Sequence, residues 1–233
     1  MNEVILGFTL LDLVAAGCFV AAWIGYGLFV ERTGVKSRTL NARMDAYRHE
    51  WMVRMIEREN RIVDTTIMAS LQNGTAFFAS TSLIAIGGTL SLLRSTDEVL
   101  QVFAALPFAT QTARTAWEMK VIGLAVIFAY AFFKFSWAYR IMNYAAILIG
   151  TAPISRDRND PEAIGAARRA ARMNTVAGRH FNRGQRAFFF ALGYLGWFVS
   201  PTVFMISTLA ILVVMARRQL ASDSLAALDN DAP

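Results

Sequence analysis

Four long apolar segments constrain this chain more than any other feature. They cover residues 4–30, 67–93, 121–149 and 187–215. Each exceeds the ~20 apolar residues that carry a helix across a ~30 Å hydrocarbon core. A water-soluble core drawn from 233 residues needs no such runs, yet 55% of the chain is hydrophobic. The segments predict an all-α fold, a polytopic membrane helical bundle of four transmembrane helices forming one domain over residues 1–218. The remainder, 219–233, is small and acidic and is expected to be disordered. The first segment does not read as a signal peptide. The chain opens MNEV, without Lys or Arg, and the apolar run is too long for a signal's core.

Basic residues give the spans a direction. No Lys or Arg precedes the first span, eight lie in 31–66, three in 94–120 and eight in 150–186, while Arg217 and Arg218 follow the fourth. Lys and Arg concentrate in cytosolic loops. The counts therefore predict first and third loops inside and both termini outside, in a bacterial inner (plasma) membrane. The net charge of +6 is then a topology signal, and no nucleic-acid partner is expected. The expected partner is the bilayer itself, through anionic headgroups on the cytosolic side, at about 1 kcal/mol per basic residue close to the surface.

Both basic loops should be helical. The first contains no Pro, and no Gly between Val35 and Gly74. Met44, Tyr47, Trp51, Met55 and Ile62 recur on one helical face, which Arg58 interrupts. One continuous helix from near Ser37 or Thr39 into the second span would project about 35–40 Å beyond the membrane. The alternative is a separate helix lying on the headgroups. The third span extends from about Thr112 to Ile149, ended by Gly150 and Pro153. Paired, the two long helices would form an antiparallel cytosolic extension. In the third loop Asp160-Pro161-Glu162 is a helix start. A short basic helix to about Ala177 should follow, stopped near Gly178.

Ionisable groups inside spans are expensive and usually paired or functional. Asp12 is the one acid well inside a span, and Lys134 lies within the third. The two could pair across a solute path, form a structural bridge, or each reach its own interface. Arg140, among Trp137, Tyr139 and Tyr144, reads as an interfacial anchor. Ala69, Asn73, Ala76, Ser80 and Gly87 form a small, polar face on the second span, and Gly17, Ala21 and Gly25 a stripe on the first. Such faces pack helices or make dimers, and the Asn73–Ser80 face could instead line a pore. Pro201 should kink the fourth span. Cys18 reads as a packing residue. His180-Phe181-Asn182-Arg183 is the densest polar motif and marks a cytosolic rim. No metal, cofactor or catalytic motif is recognisable: HExxH, CxxC, a phosphate-binding loop and GxSxG are all missing.

Three blocks carry a resemblance. They are HEWMVRMIERENRIVDTTIMASLQNGTAFFASTSLIAIGG at 49–88, YAFFKFSWAYRIMNYAAILIGTAP at 130–153 and HFNRGQRAFFFALGYLGWFVSP at 180–201. Together the chain resembles an uncharacterised family of bacterial and plant membrane proteins, domain of unknown function 599, from the first span to about Arg218. The resemblance implies a helical multi-pass membrane protein and supplies no reaction or ligand. The leading expectation is a non-enzymatic scaffold or accessory subunit, as a homo-oligomer. The alternative is a small oligomeric channel or transporter for ions or small anions, using Asp12, Asn73 or Lys134. A third reading is a lipid-modifying enzyme using Asn182 and Arg183.

Overall fold

The computed structural model describes residues 3–32, 39–104, 113–157 and 159–229. The expected helix starts at Ser37 and Thr112 and the tail residues 230–233 lie outside them. Residues 3–9 do not join the first helix. Glu3–Ile5 (β1) and Phe8–Thr9 (β2) pair as an antiparallel hairpin that turns through Leu6 and Gly7, both at positive φ. Helix α1 (Leu10–Arg32) therefore starts later than Val4. Its first turn is closed by Thr9, whose backbone N–H and hydroxyl donate to the Asp12 carboxylate at 3.0 and 2.7 Å.

Helices α2 (Leu40–Met55) and α3 (Ile62–Ser91) are separate, which corrects the single long helix expected from the first loop. Thr39 caps α2, accepting from the Ala42 N–H. Asn60 supplies the break that neither Pro nor Gly provides. Its Oδ1 accepts the Ile62 N–H at 2.9 Å, an Asx turn that leads into the new helix. Behind the break Asp64 is fully buried and accepts from Trp51 Nε1 at 2.6 Å and Arg58 at 2.5 Å. Because Met52 and Met55 are also fully buried, α2 packs into the fold and does not stand as an isolated surface helix.

A short helix, α4 (Thr96–Ala104), precedes α5 (Arg114–Thr151), which ends where Gly150 and Pro153 foretold. Helix α6 (Pro161–Tyr194) starts as expected, with Asp160 accepting from the Glu162 and Ala163 N–H groups. It does not stop at Gly178. There a Cβ would come within 2.9 Å of the Arg48 guanidinium, so this glycine admits a neighbour rather than ending a helix.

The fourth apolar segment is divided rather than kinked. One turn, α7 (Gly196–Val199), is followed by Ser200 in extended backbone and by α8 (Pro201–Leu220). The Ser200 side chain accepts from the Val203 N–H, and Pro201 takes the first turn, the chemistry of a helix start. Helix α8 then runs back along α6. The Ser207 hydroxyl donates to the Gly193 carbonyl at 2.6 Å, and Arg218 lies over the Phe189 ring. A last helix, α9 (Asp223–Asp229), buries Leu225 and contacts α2.

The fold is all-helical apart from the N-terminal hairpin. Among the described residues, four helices are long and apolar enough to cross a membrane: Leu10–Glu31, Ile62–Ser91, Arg114–Thr151 and Pro201–Leu228. Helices α5 and α6 form the antiparallel centre, with α3 against α5 and with α1 and α8 on the α6 side. Helices α1 and α8 run parallel, as shown by Phe19 against Phe204 and by Tyr26 bonded to the Met215 carbonyl. The start of α1 and the end of α8 therefore lie at opposite ends of the bundle. An aromatic core around Phe19, Phe135, Phe190, Tyr194 and Phe204 fills one part. A second core, rich in alanine, joins α2 to the first half of α6 and to the adjoining ends of α3 and α5. A Cβ added at Gly17, Gly25 or Gly87 would meet nothing within 4 Å, and Cys18 is exposed. These surfaces face away from the chain's own core.

Candidate anion site between α1, α2, α6 and α8

Arg183 and Arg186 stand three residues apart, on one face of α6. That face meets the last turn of α1, where Glu31 waits. Arg183 grips the carboxylate with two parallel bonds, Nε to Oε1 at 3.0 Å and Nη2 to Oε2 at 2.6 Å. Arg186 adds Nη2 to Oε1 at 2.6 Å. This is the bidentate, charge-assisted geometry that makes guanidinium–carboxylate contacts strong. Arg186 is buried and also lies over the Tyr26 ring at 5.9 Å.

Beside this triad opens a cavity of about 330 Å³, within the size range of small-molecule pockets. Its polar wall is drawn from four helices: Glu31 of α1, Asp45 of α2, Arg179 and Asn182 of α6, and Arg218 and Gln219 of α8. Its apolar wall includes Val30, Phe189 and Met215. The Tyr26 hydroxyl donates to the Met215 carbonyl at 2.9 Å and ties α1 to α8 across it. Asp45 is bridged by Arg48 at 2.7 Å and lies 3.9 Å from Arg179. Arg218 has a ring contact with Phe189 and no ion pair among the described residues. Four guanidiniums thus meet two carboxylates in one wall.

The bundle's other end holds a second polar cluster. Lys120 of α5 sits 3.4 Å from Asp12 and donates to the Trp197 carbonyl at 3.1 Å. Trp197 Nε1 donates to Asp12 at 2.7 Å. All three side chains are buried, and Thr9 supplies the remaining bonds to the Asp12 carboxylate. The group reads as a staple joining α1, α5 and the α6–α8 turn.

The structure brings Asn182 and Arg183 together in the cavity wall. It does not bring Asp12 to Lys134. Lys134 instead lies over the Tyr130 ring at 5.1 Å. Arg140 is exposed and donates to the Tyr144 hydroxyl at 2.7 Å, with Trp137 and Tyr139 also outward. Asn73 is exposed, and its neighbour Gln72 bonds Asn143 at 2.7 Å instead. Sequence reasoning missed Glu31, Tyr26 and the Lys120 cluster as site residues. Arg179 and Arg218 entered only as topology counts, and Arg186 only as a headgroup contact beside Arg183. An acid placed directly at the end of an apolar run was the available signal for Glu31.

Residues 14–224 match a family described as a protein of unknown function, DUF599. The chain belongs to the DUF599 family. The DUF599 match takes in every residue of the cavity wall but stops short of Thr9 and Asp12. No curated protein and no solved structure matches the chain.

Proposed function

We propose that this DUF599 protein is an integral membrane protein of the bacterial plasma membrane that binds an anionic ligand in the cavity beside Glu31. The observation that carries the reading is the cavity itself, with four arginines and an apolar wall, set at the ends of α1 and α8, two helices apolar enough to cross a membrane. From Asp12 to Glu31 is about 28 Å of helix, close to a hydrocarbon core. The staple then lies at one membrane boundary and the cavity at the other. With the end of α6 and all of α8 both crossing, the chain passes five times. The segments at the cavity boundary carry eight, eight and two of the Lys and Arg residues, against three at the staple end. By the positive-inside rule the cavity, the alanine-rich extension and the C-terminus face the cytosol, and the N-terminus faces outward.

Binding is favoured over catalysis. The wall offers guanidinium and amide donors and no histidine or cysteine, and its Glu31 is held by two arginines. A channel gains no support from Asp12 and Lys134, which sit in separate clusters. The test is lipid retention through purification, read by native mass spectrometry. Wild type should keep anionic lipid in preference to zwitterionic lipid, and an Arg179→Gln/Arg218→Gln variant should lose that preference. No preference in wild type would sink the reading.

A second reading, a homo-oligomeric scaffold, is favoured by the outward small-residue faces of α1 and α3. Such faces let helices from two copies approach closely in lipid. Gly25→Leu and Gly87→Leu should then abolish crosslinked oligomers in membranes. Monomers in wild-type membranes would dismiss it.

A further inference from the structure

The charges in the cavity narrow its ligand, and the inference rests on the binding reading above. We infer that the cavity is built for a phosphomonoester dianion carried by an amphiphile. Of its four arginines, Arg183 and Arg186 are engaged by Glu31 through three short bonds. Asp45 is held more closely by Arg48, which is not in the wall, than by Arg179. Arg179 of α6 and Arg218 of α8 are thus the two guanidiniums left for a ligand. A phosphomonoester carries a charge of about −1.5 to −2 at pH 7 and matches two such forks, whereas a phosphodiester brings one charge. Gln219 Oε1 is buried without a hydrogen-bond partner among the described residues. It can accept from a hydroxyl elsewhere on the amphiphile, but not from the dianionic phosphate, which carries no proton. Val30, Phe189 and Met215 form the apolar side of the same space. The acyl part of an amphiphile has a place to lie there that a soluble phosphate would leave wet.

The test uses the full chain in nanodiscs of zwitterionic lipid doped with phosphatidate or with phosphatidylglycerol, bound lipid being counted by native mass spectrometry. Phosphatidate should be retained about fivefold over phosphatidylglycerol, the effect of one further charge near the surface. Arg218→Gln should bring that ratio close to one. Arg217→Gln, next to it and outside the wall, should leave the ratio unchanged and serves as the control for folding. Equal retention of the two lipids by wild type would overturn the dianion inference and leave general anion binding standing. Retention of neither above the zwitterionic lipid would overturn both. Glycerol 3-phosphate, added in solution, should displace phosphatidate only weakly. Displacement at equal concentration would overturn the amphiphile and assign the cavity to a soluble phosphomonoester.

Discussion

Lys120 and Lys134 stand on the same helix, about four turns apart, in opposite circumstances. Lys120 is buried against Asp12 and the Trp197 carbonyl, whereas Lys134 keeps part of its surface exposed and has a ring contact. Removing one partner of a buried pair leaves the other charge uncompensated, at about 3–5 kcal/mol. Lys120→Met should therefore lower the thermal midpoint in detergent strongly, and adding Asp12→Asn should restore part of the loss. Lys134→Met should forfeit only a cation–π contact, about 0.5–1 kcal/mol. Equal effects of the two single changes would contradict the staple. The sequence makes Lys134 conspicuous because it interrupts an apolar run. Lys120 is hidden because it sits just before that run and reads as a loop residue. Asp12 is legible as a buried acid, but periodicity cannot say which of several cations a distant helix will present. Asn182 and Arg183 are legible as a dense polar motif. Their meeting with Glu31, far away in the chain, is a tertiary fact.

Helix starts are more legible than helix ends. Asp160-Pro161 marks the start of α6 where expected, and the same chemistry in Ser200-Pro201 is masked by the apolar run around it. Backbone N–H groups, Ala163 foremost, hold the Asp160 carboxyl below its ordinary value. Its stabilising contribution is present above the ordinary Asp value of about 3.9 and disappears as pH falls through the lowered one. Asp160→Ala should lower the thermal midpoint at pH 7, and the gap from wild type should close in acid. A gap that persists at low pH would show that the cap is not the cause. The expected stop at Gly178 failed because glycine serves close packing as well as termination. Gly184 belongs to the same class, since a Cβ there would lie 2.9 Å from the fully buried Phe135 ring. Gly184→Ala should destabilise, because overpacking at about 1–3 kcal/mol outweighs a helix-propensity gain of about 1 kcal/mol. At Gly165 the nearest atom to an added Cβ is the mobile Arg169 guanidinium at 3.5 Å, and alanine should stabilise. Calorimetry of the two variants should give shifts of opposite sign.

Counting apolar runs predicts an even number of crossings and termini on one side, whereas the return of α8 along α6 is what supports the odd number proposed above. A reporter active only outside, fused at the N-terminus, and one fluorescent only inside, fused at the C-terminus, should both be functional. Termini found on one side would dismiss the five-pass arrangement. The reversal at Ser200 also bears on how the chain is made. The apolar end of α6, residues 187–199, is about 20 Å of helix, two thirds of a hydrocarbon core, and Arg179, Arg183 and Arg186 lie directly upstream. An insertion machine that samples segments one at a time would pass it over. It can enter when translation has produced α8 to travel with it as a pair. A chain released at residue 200 should then leave α6 on the ribosome's side, with Lys120 and Asp12 uncovered by Trp197. In that arrangement Trp197 reaches Asp12 and Lys120 only after α8 has followed it out of the ribosome, so every unfinished copy would carry that charge pair uncovered.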